Sequence, residues 1–322
     1  MAQEGGAIYS ANSDPTIEGC KFFANTAEKG GGAIYITLSP HTTIKDCEII
    51  ENEAQWGGGI FCYIASPDII NTLVSKNTAE RGGGGIYALE NAHPTIESCV
   101  FEENLAVVGG GVKCGSNSNP DIIASKFLAN EAEFGGALSS KNSSPTIANS
   151  IFEGNEALKG GAIWCWSSLN IIFTNCTLNA NSAKEGGAIF SGGTSNLVFR
   201  NSIIWGNTIS DAPPEEGGGS QCYISTHSRI TLHFCCYDNS AGHVAGGGKG
   251  ALMYSDDTIH DDPQFEEEGL NLSEGSPCID AGNNDFVDEL GITEDIDGNP
   301  RIADGHADGT AKVDIGAYEY QP

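Results

Sequence analysis

Residues 31–36 read Gly-Gly-Ala-Ile-Tyr-Ile, and close copies of this hexapeptide open eight successive segments of the chain. The copies start 25 or 26 residues apart, at Gly5, Gly31, Gly57, Gly83, Gly109, Gly135, Gly160 and Gly186. An asparagine follows each start after 20 or 21 residues, at Asn25, Asn52, Asn77, Asn104, Asn130, Asn155, Asn181 and Asn207. A period this regular indicates one supersecondary unit stacked on copies of itself.

The pattern within one repeat predicts strands. In the opening segment of residues 31–55, Ile34 and Ile36 point inward and Tyr35 points outward, and two further segments alternate in the same way. A period of two is typical of β-strands and argues against helical repeats. We therefore expect an all-β fold, a right-handed parallel β-helix with three strands and about 26 residues per coil, with coils about 4.8 Å apart.

The two recurring residue types suit this architecture. Paired glycines fit a corner that needs a positive φ angle or a close approach of two backbones. The asparagine column fits an internal ladder in which each side-chain amide bonds the neighbouring coil.

The repeat divides the chain into three parts. Residues 1–207 hold the regular coils, and residues 208–260 are expected to form irregular coils with side loops, including an acidic loop at 211–216. Residues 261–322 have a different composition and are expected to form a C-terminal capping segment over the open edge of the last coil.

The charge and hydropathy of the chain limit its possible partners, and its cysteine pattern predicts the state of the thiols. The formal net charge is −28, which argues against nucleic acid and against an anionic bilayer surface. No apolar run is long enough to span a membrane. The chain has 11 cysteines, but seven of them share repeat columns with Ser, Thr, Ala or Ile, so we expect mostly buried free thiols.

Two parts of the sequence resemble known families. The motifs Gly-Gly-Ala-Ile (160–163) and Phe-x-x-Asn (152–155) are similar to polymorphic outer-membrane-protein repeats, which are β-helical passenger domains of surface adhesins. The C-terminal part resembles the end of bacterial choice-of-anchor Q domain, or right-handed parallel β-helix repeat-containing, proteins, in motifs at residues 262–265, 270–272, 276–282, 297–301 and 313–319. This second resemblance implies a secreted or cell-surface bacterial protein.

An aromatic column is the first candidate site. Aromatic side chains occupy the outward position just after the Gly-Gly corner, or lie two positions further on, at Tyr9, Tyr35, Phe61, Tyr63, Tyr87, Trp164, Trp166 and Phe190. An exposed stripe with the coil spacing is suited to stacking sugar rings. Alternatively, these side chains pack on one another and stabilise the sheet, or lie under a side loop.

Three cations form the second candidate site. Lys113 and Lys141 interrupt the aromatic column on neighbouring coils, and Arg81 lies in a nearby corner. Polysaccharide lyases on β-helices use a Lys or Arg base beside a second cation, so these residues could serve a lyase; otherwise they are solvated surface residues. No pair of acids recurs on adjacent coils and no partnered nucleophile is evident, so we predict no other catalytic residue.

Calcium is the one cofactor that the sequence indicates. Asp295, Asp297 and Asn299 place three oxygen-bearing side chains around a glycine turn, which suits a structural Ca²⁺ ion. The same residues are also common in turns without a metal.

These observations favour a non-enzymatic module for adhesion or glycan binding. Its expected partner is a polysaccharide, or a glycan or protein on a host or cell surface. A polysaccharide lyase, or another carbohydrate-active enzyme, is the first alternative because the fold readily hosts such enzymes. A structural rod that associates end to end into fibres is the second.

Overall fold

The computed structural model describes residues 2–210, 221–240, 242–246 and 251–321. Over these residues the chain forms a solenoid of four parallel sheets with nine or ten strands each. The predicted parallel β-helix is therefore confirmed. Residues 208–260 contribute strands to all four sheets, whereas the acidic loop expected at 211–216 lies outside the described residues.

We number the sheets in the order in which the chain first enters them. Sheet 1 consists of Ala2–Glu4, Ala27–Gly30, Glu53–Trp56, Thr78–Gly82, Leu105–Val108, Glu131–Phe134, Glu156–Lys159, Ser182–Glu185 and Thr208–Ile209. Sheet 2 consists of Ile8–Ala11, Ile34–Thr37, Ile60–Tyr63, Ile86–Leu89, Val112–Gly115, Leu138–Lys141, Ile163–Trp166, Ile189–Gly192, Cys222–Ile224 and Val244–Ala245.

The other two sheets follow along each coil. Sheet 3 consists of Thr16–Glu18, Thr43–Lys45, Asp68–Ile70, Thr95–Glu97, Asp121–Ile123, Thr146–Ala148, Ile171–Thr174, Asn196–Arg200, Arg229–His233 and Ala251–Tyr254. Sheet 4 consists of Lys21–Phe23, Glu48–Ile50, Leu73–Ser75, Val100–Glu102, Lys126–Leu128, Ile151–Glu153, Thr177–Asn179, Ile203–Trp205 and Cys236–Tyr237. One helix, α1 (Asn284–Leu290), lies in the C-terminal segment.

Each coil has four strands, where the alternation of residues predicted three. The additional strand belongs to sheet 1 and follows the asparagine column, as in Glu53–Trp56. Only Ala54 of that strand is buried, so its one inward residue is small, whereas the strands of sheets 3 and 4 in this coil bury the larger Ile44 and Ile49. Such a strand has no readable alternation, and the sequence was interpreted as a turn.

The core is built from columns of similar apolar side chains. Ile34, Ile60 and Ile86 pair in register on successive strands of sheet 2 and are fully buried. In sheet 4 the rings of Phe101 and Phe127 stack with their centroids 4.7 Å apart, close to the spacing of neighbouring strands. Dispersion contacts therefore repeat along the axis in every coil.

The predicted asparagine ladder is present. The Asn104 side-chain oxygen accepts hydrogen bonds from Nδ2 and the backbone N–H of Asn77, both at 3.0 Å. Its own Nδ2 donates to the Val74 carbonyl at 2.8 Å and to Oδ1 of Asn130 at 2.9 Å. This pattern continues from Asn25 to Asn207 and satisfies amides that would otherwise be buried without partners.

The paired glycines also act as predicted. Gly31 has a φ angle of 65°, a conformation that disfavours other residues. A Cβ atom on Gly32 would lie 2.1 Å from the carbonyl oxygen of Gly58 on the next coil. The first glycine is needed for its backbone conformation and the second for close approach.

All eleven cysteines are free thiols, and ten of them are buried. Burial raises the pKa of Cys62 and of Cys99 to about 12. The prediction of mostly buried free thiols is confirmed, with Cys20 as the exposed exception.

The C-terminal segment packs along the side of the solenoid, and its expected role as a cap over the open edge of the last coil stays a prediction. It packs on the outer face of sheet 4, where Leu270 and Ala317 contact Ile151. A further apolar cluster joins Ile203 and Cys236 of sheet 4 to residues of the segment, Leu272, Cys278, Ile279 and Ile315. Apolar outward residues on sheet 4 make this lateral contact favourable.

Asparagines at one corner of the coils hold the C-terminal segment in place through hydrogen bonds. Asn149, Asn175 and Asn201 occupy one corner column with positive φ angles. Their side-chain amides donate to the carbonyls of Glu294 at 2.7 Å, Asp314 at 3.1 Å and Asn283 at 3.0 Å. These asparagines therefore adopt the left-handed backbone conformation of the corner, and their side chains also bind the C-terminal segment.

Candidate ligand-binding face

The outer face of sheet 2 places the predicted aromatic column on successive strands. The ring centroids of Tyr9 and Tyr35 are 5.3 Å apart, those of Tyr35 and Phe61 5.0 Å, and those of Phe61 and Tyr87 5.1 Å. These separations are within the range of favourable aromatic pairs. The first four members of the column therefore form one continuous stack.

Most of the stack is covered, which corrects the expectation of an exposed stripe. Tyr35, Phe61 and Tyr87 are only 7–8% exposed and Phe190 only 4%, whereas Tyr9 and Trp166 are exposed. The rings bury one another, and the first three form an apolar cluster with Trp56, Tyr63 and Leu89 outside the solenoid core. Stacking along the axis was the alternative interpretation, and these contacts support it.

Glycines in sheet 1 allow long side chains from sheet 2 to fold over the intervening corner. A Cβ atom on Gly30 would lie 2.6 Å from the Phe61 ring, and one on Gly82 would lie 2.7 Å from Cδ of Lys113. Trp56 lies in the same column, at the strand position paired with both glycines. Glycine, tryptophan and glycine therefore follow one another along this column, and the space left by the two glycines forms a recess around the Trp56 ring.

The recess is a cavity of about 370 Å³. Five aromatic side chains line it, namely Tyr35, Trp56, Phe61, Tyr63 and Tyr87, together with Leu89 and the polar residues Glu4, Lys29 and Gln55. Four of the predicted ligand-binding residues are therefore brought together in one cavity. An apolar lining with a few polar groups at its edge is typical of small-ligand sites.

The candidate cations lie beside this cavity. Nζ of Lys113 is 4.5 Å from the ring centroids of both Trp56 and Tyr87, and the Arg81 guanidinium is 5.5 Å from that of Trp56. Burial, and secondarily the charge of Lys141, lowers the pKa of Lys113 to about 8. Lys113 and Arg81 therefore both lie against the ring of Trp56. Lys141 is exposed on the next coil.

A second aromatic cluster lies further along the same face. The Trp164 and Trp166 rings stack at 6.0 Å, and the Phe134 ring lies 5.6 Å from Trp164. Nζ of Lys159 lies 5.1 Å from the Phe190 ring centroid. Lys113 and Lys141 occupy the strands between the two clusters.

Sequence reasoning missed Trp56 and Phe134. Both belong to sheet 1, whose strands had been interpreted as turns. Their spacing from the Gly-Gly corner was the available signal, since each immediately precedes it.

An acidic pair was also missed. Glu131 and Glu156 are direct partners on neighbouring strands of sheet 1, although no pair of acids was expected on adjacent coils. They line an open groove of about 570 Å³ with Glu80 and Glu133. Their side chains are solvent-exposed.

The turn predicted to bind calcium is stabilised by the chain's own groups. Oδ1 of Asp295 accepts hydrogen bonds from the backbone N–H groups of Asp297 and Asn299, and Oδ2 accepts from Nδ2 of Asn299 and the backbone N–H of Glu319. Asp297 faces Lys126, with 3.5 Å between Oδ1 and Nζ. The Asp295 carboxylate therefore accepts hydrogen bonds from three residues of the same segment, and a calcium ion at this turn stays a prediction.

Among the described residues, no group of three or more His, Cys, Asp or Glu is placed to hold a metal ion. The described part of the chain also lacks a helix with the length and apolar character needed to cross a bilayer.

Comparison with known proteins identifies the fold family. The family described as right handed beta helix region matches residues 2–81 and 71–286, which is most of the chain. The protein therefore belongs to the right-handed β-helix family, and the four-sheet solenoid agrees with this assignment. No curated protein and no solved structure matches the chain.

Proposed function

We propose that this protein binds glycans on the outer face of sheet 2, without modifying them. The observation that carries the proposal is the cavity of about 370 Å³ in which five aromatic side chains meet. The protein belongs to a fold family that hosts many activities, so the argument rests on this site.

A glycan fits the chemistry of the cavity. A pyranose ring presents C–H groups on one face, which pack on aromatic rings, and hydroxyl groups around its edge. Trp56 and Tyr63 are half-buried and present ring surface to the cavity, while Glu4, Lys29 and Gln55 supply hydrogen-bonding groups at its edge. Apolar contact gives affinity and the few polar groups orient the ligand.

A panel of immobilised neutral and acidic polysaccharides, read by affinity electrophoresis, tests the proposal. Trp56→Ala and Tyr63→Ala should each weaken retention, by about tenfold for a central aromatic contact. Leu105→Ala, on the exposed face of sheet 1, is the matched control and should bind normally. Circular dichroism would verify that each variant is folded. Failure of every glycan to bind the native protein would refute the proposal.

A polysaccharide lyase is the second candidate, because one observation favours it. The pKa of Lys113 is lowered to about 8, so part of the side chain is unprotonated near neutral pH and can accept a proton. Arg81 and Lys141 would stabilise the negative charge that develops when a uronate loses its α-proton. Absorbance at 235 nm from unsaturated products, lost in Lys113→Ala, would establish this activity; unchanged absorbance with retained binding would support the binding module.

We also propose a secreted or cell-surface location in a bacterium, with adhesion as the biological role. Support comes from the resemblance of residues 262–319 to exported choice-of-anchor Q domain proteins and of the repeats to adhesin passenger domains. Protease treatment of intact cells tests the location, because a surface protein is degraded while an internal one is protected.

A further inference from the structure

The described strands of sheet 2 carry no acidic residue. In a chain with 43 Asp and Glu residues, none of the ten described strands of sheet 2 contains either residue type. The described strands of sheets 1, 3 and 4 contain eight, four and three acids, respectively. The face that carries the aromatic residues is thus also the one sheet without carboxylates among the described strands.

Two lysines on this face have no acidic partner among the residues that the structure describes. Six other lysines form ion pairs with carboxylates, with N–O distances of 2.6–4.0 Å, namely Lys21, Lys29, Lys45, Lys76, Lys126 and Lys159. Lys113 and Lys141 make no ion pair with any described residue. Within a strongly acidic protein, unpaired lysines on a sheet whose described strands lack carboxylates favour an anionic ligand.

The two lysines also repel each other. They lie on neighbouring strands, with Lys113 paired to Ser139 and Lys141 paired to Gly115. Like charges on adjacent strands are unfavourable without a counter-charge. An anionic group bound between them would remove this repulsion and would be attracted by both ammonium groups.

We propose that the ligand of this face is an acidic polysaccharide, with its carboxylate or sulfate groups on Lys113 and Lys141 and its sugar rings on the flanking aromatic clusters. This inference rests on the proposed glycan binding. Along sheet 2 the order of side chains is aromatic at Tyr87, cationic at Lys113 and Lys141, and aromatic again at Trp164. A linear chain lying along the axis would meet these groups in succession.

The decisive experiment compares two polymers of equal length, a linear polygalacturonate and its carboxyl-reduced, neutral form. The native protein should retain the polyuronate more strongly, and the difference should shrink as salt rises from ~0.05 to ~0.5 M. Lys141→Gln should weaken polyuronate binding by about threefold, as expected for one solvent-accessible charge contact, and leave binding of the neutral polymer unchanged. Lys45→Gln on sheet 3 is the matched control and should change neither.

The outcomes separate this inference from the proposed function. Equal retention of both polymers, or no effect of Lys141→Gln, would overturn the acidic ligand while leaving glycan binding intact. Loss of all retention with both polymers would instead refute glycan binding itself. A sulfated neutral-backbone polymer, tested in parallel, distinguishes a preference for sulfate from one for carboxylate.

Discussion

The outer faces of sheets 1 and 2 belong to the same coils and have the same axial spacing, yet their chemistry is opposite. On sheet 1, Glu131 and Glu156 are exposed partners on neighbouring strands. On sheet 2, the equivalent outward positions carry Lys113, Ser139 and Trp164. The inward residues of both sheets stay small or aliphatic from coil to coil. The inward columns therefore specify the coil, and the outward columns are free to specify a ligand.

The largest expected effect concerns the scaffold that both faces share. Asn104→Ala removes four hydrogen bonds in the buried ladder, so we expect it to lower the free energy of unfolding by about 3 kcal/mol or more. Asn25→Ala, at the partly exposed end of the ladder, removes one side-chain hydrogen bond, from Asn25 Nδ2 to Oδ1 of Asn52, and should cost less. Urea denaturation measures both; equal costs would show that the ladder does not set the stability.

The next variant makes the charge of the outer face of sheet 2 resemble that of sheet 1. Lys141→Glu replaces an unpaired cation with a carboxylate on the acid-free sheet. Attraction to an acidic glycan becomes repulsion, and we expect polygalacturonate affinity to fall about tenfold. Binding of the carboxyl-reduced polymer should not change. Isothermal titration calorimetry with both polymers checks this, and a parallel loss for the neutral polymer would indicate that the face itself was damaged.

The pH dependence of binding should differ from that of an ordinary lysine site. The pKa of Lys113 is lowered to about 8 by burial and by Lys141, so its charge is present below that pH and is lost as pH rises through it. Affinity for polygalacturonate should therefore fall about threefold between about pH 7 and pH 9. In Lys113→Arg the positive charge persists over this range, so the affinity should not change with pH. An identical fall in that variant would show that a group other than Lys113 titrates.

The smallest effect tests the acidic face. Glu131 and Glu156 are like charges directly across a strand pair, which is destabilising. Glu131→Gln should raise the free energy of unfolding by about 0.5 kcal/mol. The contrasting variant is Glu48→Gln, which loses an ion pair with Lys21 at 2.6 Å and should be neutral or slightly destabilising. A loss of stability in Glu131→Gln would show that this carboxylate has an attractive partner.

The sequence was most informative about the repeated inward positions. Ladder asparagines, corner glycines and inward isoleucines recur in every coil, so their roles could be inferred from period and residue type. The strands of sheet 1 were missed because a single inward alanine leaves no alternation to detect. The fold class could therefore be predicted, but one sheet could not.

The candidate site was only partly predictable. The sequence identified Tyr35, Phe61 and Tyr87, but their burial follows from ring stacking and from Trp56, which reaches them from another sheet. The unpaired state of Lys113 and Lys141 likewise depends on which acids the coils place nearby. Side chains brought together across a corner have no fixed separation in sequence, so only the three-dimensional arrangement reveals the cavity.

The unbroken register of sheet 2 has a consequence for how this protein can change. Its first eight strands form seven successive pairs that match residue for residue. Duplicating one unit of 26 residues would add one further rung to the face and lengthen it by about 4.8 Å. The length of this face is therefore set by the number of repeat copies, and under the proposed glycan binding the number of sugar units in contact would rise with each copy.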